Sequence, residues 1–271
     1  MNLSQANHTL TPDNLFFYHG AAVLFTSSIL VTLPANIYIM WLIGCGPGGP
    51  TATELFVLSL ASSEVLFCIL AFYLLLQFIL EGSTEVWFQV LELTLQLMLV
   101  SPVIFQSCIC LERYMAVVHP VVFLRFKPLR YRLACCVVIW LLMLFYSIIP
   151  AFTISVRASV YLLTSMSMFL MVLMVYCSVH ILCVLSQPGP GDGDRDKGVR
   201  RKAFKVIMTS MLFTVCTQAF RVFTVGPIVL FASQHVIDVA VLISLAISIV
   251  TGTATPVLYL YRAGKLPWIQ V

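Results

Sequence analysis

Seven apolar stretches, about residues 17–43, 53–80, 86–111, 131–152, 158–185, 203–231 and 236–260, constrain this chain more than any other feature. A helix crosses a bilayer with about 20 apolar residues. Within hydrocarbon the backbone must satisfy its own hydrogen bonds, so each stretch is expected to be a helix. The connections left between them are too short for a separate soluble domain. At 61% hydrophobic and 10% charged residues, the chain also lies far from a soluble domain, which carries about 25% charged residues. No internal repeat of the kind that marks inverted-repeat transporters is found. The expectation is an all-α, seven-transmembrane helix bundle over residues 17–261, with a tail at 1–16 and a short tail at 262–271.

Basic residues set the expected orientation. Arg125, Lys127, Arg130, Arg132, Arg195, Lys197, Arg200, Arg201, Lys202, Lys205, Arg262 and Lys265 fall in or beside alternate connections and the last tail, while Arg157 and Arg221 lie toward the opposite side. Excess Lys and Arg stay on the cytoplasmic side. The amino terminus is therefore expected outside and the carboxy terminus inside. The net charge of +4 follows from this topology and gives no reason to expect nucleic acid. The tail from Met1 to Leu15 holds no Lys or Arg and carries two sequons, at Asn2 and Asn7, expected glycosylation sites on an exported segment. The first stretch then serves as a signal anchor. Between the second and third stretches, Glu81, Glu85 and Trp87 are expected to form an acidic outer turn with an interfacial aromatic.

The third stretch ends in the string CLERYMAVVHP, Cys110 to Pro120, followed by Arg125, Lys127, Arg130 and Arg132. A charge at full membrane depth costs roughly 2.5 to 3.5 kcal/mol on insertion scales, so it persists only with a partner, a watery exit or a job. Glu112 gives Arg113 an adjacent counter-ion. The order Glu112-Arg113-Tyr114, Ala116-Val117, His119-Pro120 resembles the signature closing the third helix of rhodopsin-like (class A) G-protein-coupled receptors, with Glu in place of the commoner Asp. The resemblance runs from Ala35 to Lys265. It takes in Asn36 and Trp41 in span 1, Glu64 in span 2, Trp140 and Pro150 in span 4, and Tyr176 in span 5. In span 6 it takes in Phe213, Cys216 and Phe220, and in span 7 Thr255-Pro256-Val257-Leu258-Tyr259, similar to the family's Asn-Pro-x-x-Tyr. The pair Phe220-Arg221 with Cys216 looks most like the branch holding nucleotide, lipid and protease-activated receptors.

That resemblance implies a plasma-membrane receptor that converts an extracellular ligand signal into activation of a heterotrimeric G protein. It implies a switch in which Arg113, held by Glu112 at rest beside Tyr114, is released toward Tyr176 and Tyr259 as span 6 moves outward, with Pro256 at a hinge. Glu64 would stand at the family's sodium or proton site, with Ser101, Thr251 and Thr255 as further oxygens. The alternative to sodium is a protonated, hydrogen-bonded Glu64. Asn36, costly in an apolar helix unless it bonds a neighbour, is expected to join spans 1, 2 and 7. For the ligand, Arg221, Gln96, Glu92, Arg157, Asp238 and Tyr73 are the candidates in the outer half. At 1.5 Å per helical residue, Arg221 rises roughly 24 Å above Lys205, and Gln96 about 26 Å and Glu92 about 32 Å above Arg113. One polar layer could hold them, with Glu92, Asp238 or an anionic ligand group as partner to Arg221.

The chain also departs from the family. Phe88 stands where an outer-loop disulfide would start, Ala219 where span 6 carries its kink Pro, Thr217 where an aromatic is usual, and Thr255 where span 7 carries Asn. Cys45 and Cys183, near the inner face, are palmitoylation candidates. Two other readings remain open: a seven-helix protein that has lost signalling, and a transporter or channel, which would need more than one mid-depth acid. There is no HExxH, no G-x-S-x-G and no paired intramembrane Asp, so an enzyme is not expected.

Overall fold

The computed structural model describes residues 12–46, 52–81, 85–125, 129–153, 156–186, 209, 212–223, 228 and 234–263. These form α1 (Pro12–Ser27), a π-helical turn (Ser28–Thr32), α2 (Leu33–Gly44), α3 (Ala52–Glu81), α4 (Glu85–Val118), α5 (Pro120–Arg125), α6 (Leu129–Thr153) and α7 (Val156–Ser186). They continue with α8 (Leu212–Phe223) and α9 (Gln234–Ala263). The chain is all-helical among the described residues. Five of its helical stretches, Phe16–Gly44, Glu54–Leu80, Gln89–Val118, Thr164–Val184 and Val239–Leu258, are long and apolar enough to cross a membrane. Each expected span thus falls on a helix.

Prolines mark where the helices depart from regularity. Pro34, just inside α2, has no N–H to give and its ring presses on the carbonyl four residues back. The backbone widens before it, and the Leu33 N–H reaches Ser28 O, five residues away. Such a π turn is a recognised way to absorb a break in the ladder. Pro102 and Pro256 lie inside α4 and α9, which run on through them. In a bundle, neighbouring helices can take up the freed carbonyls. At the end of α4 the chain turns at His119, and Pro120 opens α5, where its fixed φ suits a first helical position.

α4 is the central helix and touches α3, α5, α6, α7 and α9. One apolar cluster joins α1, α3, α4 and α9 through Phe25, Phe67, Leu74, Met98 and Leu245. A second joins α3, α4 and α6 through Leu60, Phe105 and Met143, with Trp140 packed on Phe105 at 5.7 Å between ring centroids. Large apolar side chains such as Leu30, Leu141, Phe145 and Phe169 point outward, as expected of a bundle whose solvent is lipid.

Two expectations need correction. Trp87, read as an interfacial aromatic in a turn, lies in the first turn of α4 and is only 4% exposed. Its indole N–H donates to Leu74 O at 3.1 Å, and Tyr18 and Phe78 pack around it. An indole can be buried there because a partner for its one polar atom comes with the packing. The third span, read as ending at 111, continues as helix to Val118, because nothing between Leu111 and Val118 breaks a helix and Pro120 does.

Candidate functional site

A buried polar layer crosses the bundle at Glu64. Its carboxylate is 3% exposed and lies against Gly252 of α9, where an added Cβ would come within 2.9 Å of Glu64 Oε2. Only a glycine lets the two helices approach so closely here. Asn36 Nδ2 donates to Thr32 O at 2.9 Å and to Gly252 O at 3.5 Å, so the asparagine ties the first helix to the last, while the bonds described for it do not reach the second span. Ser101 and Thr251 are also buried, and Thr251 Oγ1 donates to Ile247 O at 2.8 Å. Thr255 Oγ1 donates to Thr251 O and accepts from Gln106 Nε2 at 3.4 Å. Gln106 was not among the sequence candidates. Its signal was plain enough, a polar amide inside an apolar helix.

Arg221 enters this layer from α8. It is 8% exposed, its Nη2 donates to Ser248 Oγ, and it makes no ion pair with Glu64, on which its charge acts only from a distance. Its Nε and Nη1 are buried without a hydrogen-bond partner, as are Gln218 Oε1 and Ser244 Oγ nearby in α8 and α9. Of the partners expected for Arg221, Glu92 is not the one it meets, and the side chain of Asp238 lies outside the described residues. Glu92 Oε1 instead accepts from Gln96 Nε2 at 3.2 Å on α4. The physical reason is side-chain direction: in a helix, long side chains lean toward the amino-terminal end, so the guanidinium lies deeper than its Cα. Tyr73, another ligand candidate, is 44% exposed on the outside of the bundle. The side chains of Arg157, Asp238 and Tyr259, and both Asn2 and Asn7, lie outside the described residues.

At the opposite end of α4, Glu112 pairs with Arg132 of α6, and both are buried. The expected partner for this acid was its neighbour Arg113. Twenty residues of sequence separate Glu112 from Arg132, but the packing of α6 on α4 brings them into contact. Arg132 also lies over the Phe123 ring of α5, 4.8 Å from its centroid. Arg113 is half-buried on the next position. Tyr114 packs edge-on to His119 and His180, and Tyr176 lies 4.5 Å from His180 and 6.1 Å from Tyr114. The structure thereby brings Tyr114 and Tyr176 together across α4 and α7. None of the nine cysteines is in a disulfide, and Cys45 and Cys183 are exposed.

Seven apolar helical segments, a buried acid on the second span and an acid, base and tyrosine closing the third form one arrangement. The model of the 7 transmembrane receptor (rhodopsin family) matches residues 35–259. The chain belongs to that family. The receptor is also 24% identical to purinoceptor 8 of Gallus gallus over 127 residues. That match covers 45% of this receptor and 35% of the relative, so the receptor spans about a third of the curated relative's length. The family is one of membrane receptors, and this receptor is a membrane protein.

Proposed function

We propose that the receptor sits in the plasma membrane with its amino terminus outside and converts an extracellular, anionic ligand into activation of a heterotrimeric G protein. It is not an enzyme in this reading. The observation that carries it is the family match over residues 35–259, which takes in Glu112-Arg113-Tyr114 and Thr255-Pro256-Val257-Leu258-Tyr259. Arg113 is the switch that meets the G protein once α8 swings out, with Tyr176 and Tyr259 as its later partners and Pro256 as the hinge. The Glu112–Arg132 pair modifies the resting state, because the acid that would restrain Arg113 is shared with α6.

On the ligand side, Arg221 joins α8 to the polar layer through Ser248. Its Nε and Nη1 are the donors an acidic group from outside would take. Drawn toward that group, the guanidinium would loosen its hold on Ser248, releasing α8 from α9. The same guanidinium bears on the sodium site. The charge of Arg221 acts on Glu64 and Gly252 packs on the carboxylate, a poor setting for a second cation. We therefore assign the counter-charge of Glu64 to Arg221 instead of sodium.

The test is a second-messenger assay across G-protein classes in transfected cells. Arg113→Ala should abolish or greatly reduce the signal at unchanged surface expression. Arg221→Gln and Arg221→Lys should each weaken agonist potency about tenfold or more, the scale of a lost charged hydrogen bond. A signal that survives Arg113→Ala would overturn the switch, and a cationic agonist would overturn the role of Arg221.

A further inference from the structure

A cavity of about 290 Å³ opens on the flank of the bundle between α4, α5 and α6, at the small end of ligand pockets. The ligand reading does not use it, and of the switch residues only Glu112 lines it. Its walls are apolar, with Leu111 and Met115 from α4, Phe123 from α5 and Tyr131 from α6, and its charges are the Glu112–Arg132 pair. Those two charges neutralise each other, so the interior suits a hydrocarbon better than a charged group. The rim is different. Arg130 is exposed and its guanidinium lies 5.1 Å from the centroid of the Tyr131 ring. Arg125, also exposed, ends α5 two residues beyond Phe123. Around them Val121, Leu124 and Leu133 present exposed apolar side chains.

Apolar walls, an apolar approach and a cationic rim at the end of a membrane helix match one occupant. We propose that the cavity takes one acyl chain of an anionic phospholipid of the inner leaflet, with its phosphate between Arg125 and Arg130. Basic residues at this depth attract anionic headgroups, and an arginine fork suits phosphate better than a lysine does. A chain lodged there would pack α5 against α4 and α6, beside the Glu112–Arg132 pair. The proposal rests on the orientation given above, but not on signalling.

Cys135, which is exposed and lines the cavity, gives a direct probe. The full-length receptor is placed one chain per nanodisc, in phosphatidylcholine alone or with added phosphatidylserine. Alkylation by a membrane-permeant maleimide is followed by mass spectrometry, with exposed Cys183 on α7 as the reference. Phosphatidylserine should slow Cys135 relative to Cys183 severalfold. The double variant Arg125→Gln, Arg130→Gln should lose that protection, an effect of about tenfold or more on the preference for anionic lipid. Both residues are exposed, so folding should be kept. Arg113→Ala should retain full protection, which separates this site from the signalling switch. Equal Cys135 rates in the two lipids, or protection that survives the double variant, would overturn the proposal. So would protection by soluble glycerophosphoserine alone, which would mean a headgroup site without a chain, or protection seen only with two chains per disc, which would mean a second copy.

Discussion

Glu64 and Arg221 show how far a single side chain can move a site. A buried carboxylate in a low-dielectric layer is costly alone, and the guanidinium that offsets it comes from a residue whose Cα lies nearer the outer end. Arg221→Gln should lower the stability of the detergent-solubilised receptor by roughly 1.5 to 3 kcal/mol, the scale of the charged hydrogen bond it gives Ser248 Oγ. Adding Glu64→Gln should return part of the loss, because the carboxylate then no longer needs a counter-charge. Exchanging sodium for potassium at constant ionic strength should leave the wild-type melting temperature unchanged, and a sodium-dependent rise would return the counter-charge role to the ion. Asn36 was legible in the sequence, since its type and surroundings alone demand a neighbouring helix. Arg221 was not fully legible, since counting helical rise locates a Cα and says nothing of which way a long side chain leans.

Among the elements, α4 carries the most because α3, α5, α6, α7 and α9 all pack on it, and its charged end is held by α6 through Glu112 and Arg132. Removing one partner of a buried pair is worse than removing both. Arg132→Met should destabilise the receptor by about 3 to 5 kcal/mol, and Arg132→Met with Glu112→Gln should cost clearly less, as read by thermal unfolding of the solubilised protein. Equal losses would mean that Arg132 acts through its contact with Phe123 instead. The helices themselves were readable: each apolar stretch became one, and Pro120 ended α4 close to where a proline must. Helix limits were less so. Polar residues after Leu111 suggested an exit from the membrane, but a helix does not stop where its surroundings turn polar. Trp87 was misplaced for a related reason, because its burial depends on Leu74, Tyr18 and Phe78 arriving from other helices.

At the scale of the molecule, the distribution of Lys and Arg gives the orientation its test. An epitope added before Met1 should stain intact cells, and one after Val271 should stain only permeabilised cells. The reverse pattern would overturn the orientation and, with it, the inner-leaflet site. The sequence by itself determined that the chain is a bundle of membrane helices, since apolar length and the need to pair every backbone group leave no other choice, and its ERY and TPVLY strings pointed to the family. Only the tertiary structure decided who meets whom inside it: Glu112 with Arg132, Glu64 with Gly252, Arg221 with Ser248, Gln106 with Thr255. Helical periodicity states which face a residue occupies, whereas partners across helices depend on the rotation and approach of packed helices, which no single stretch encodes.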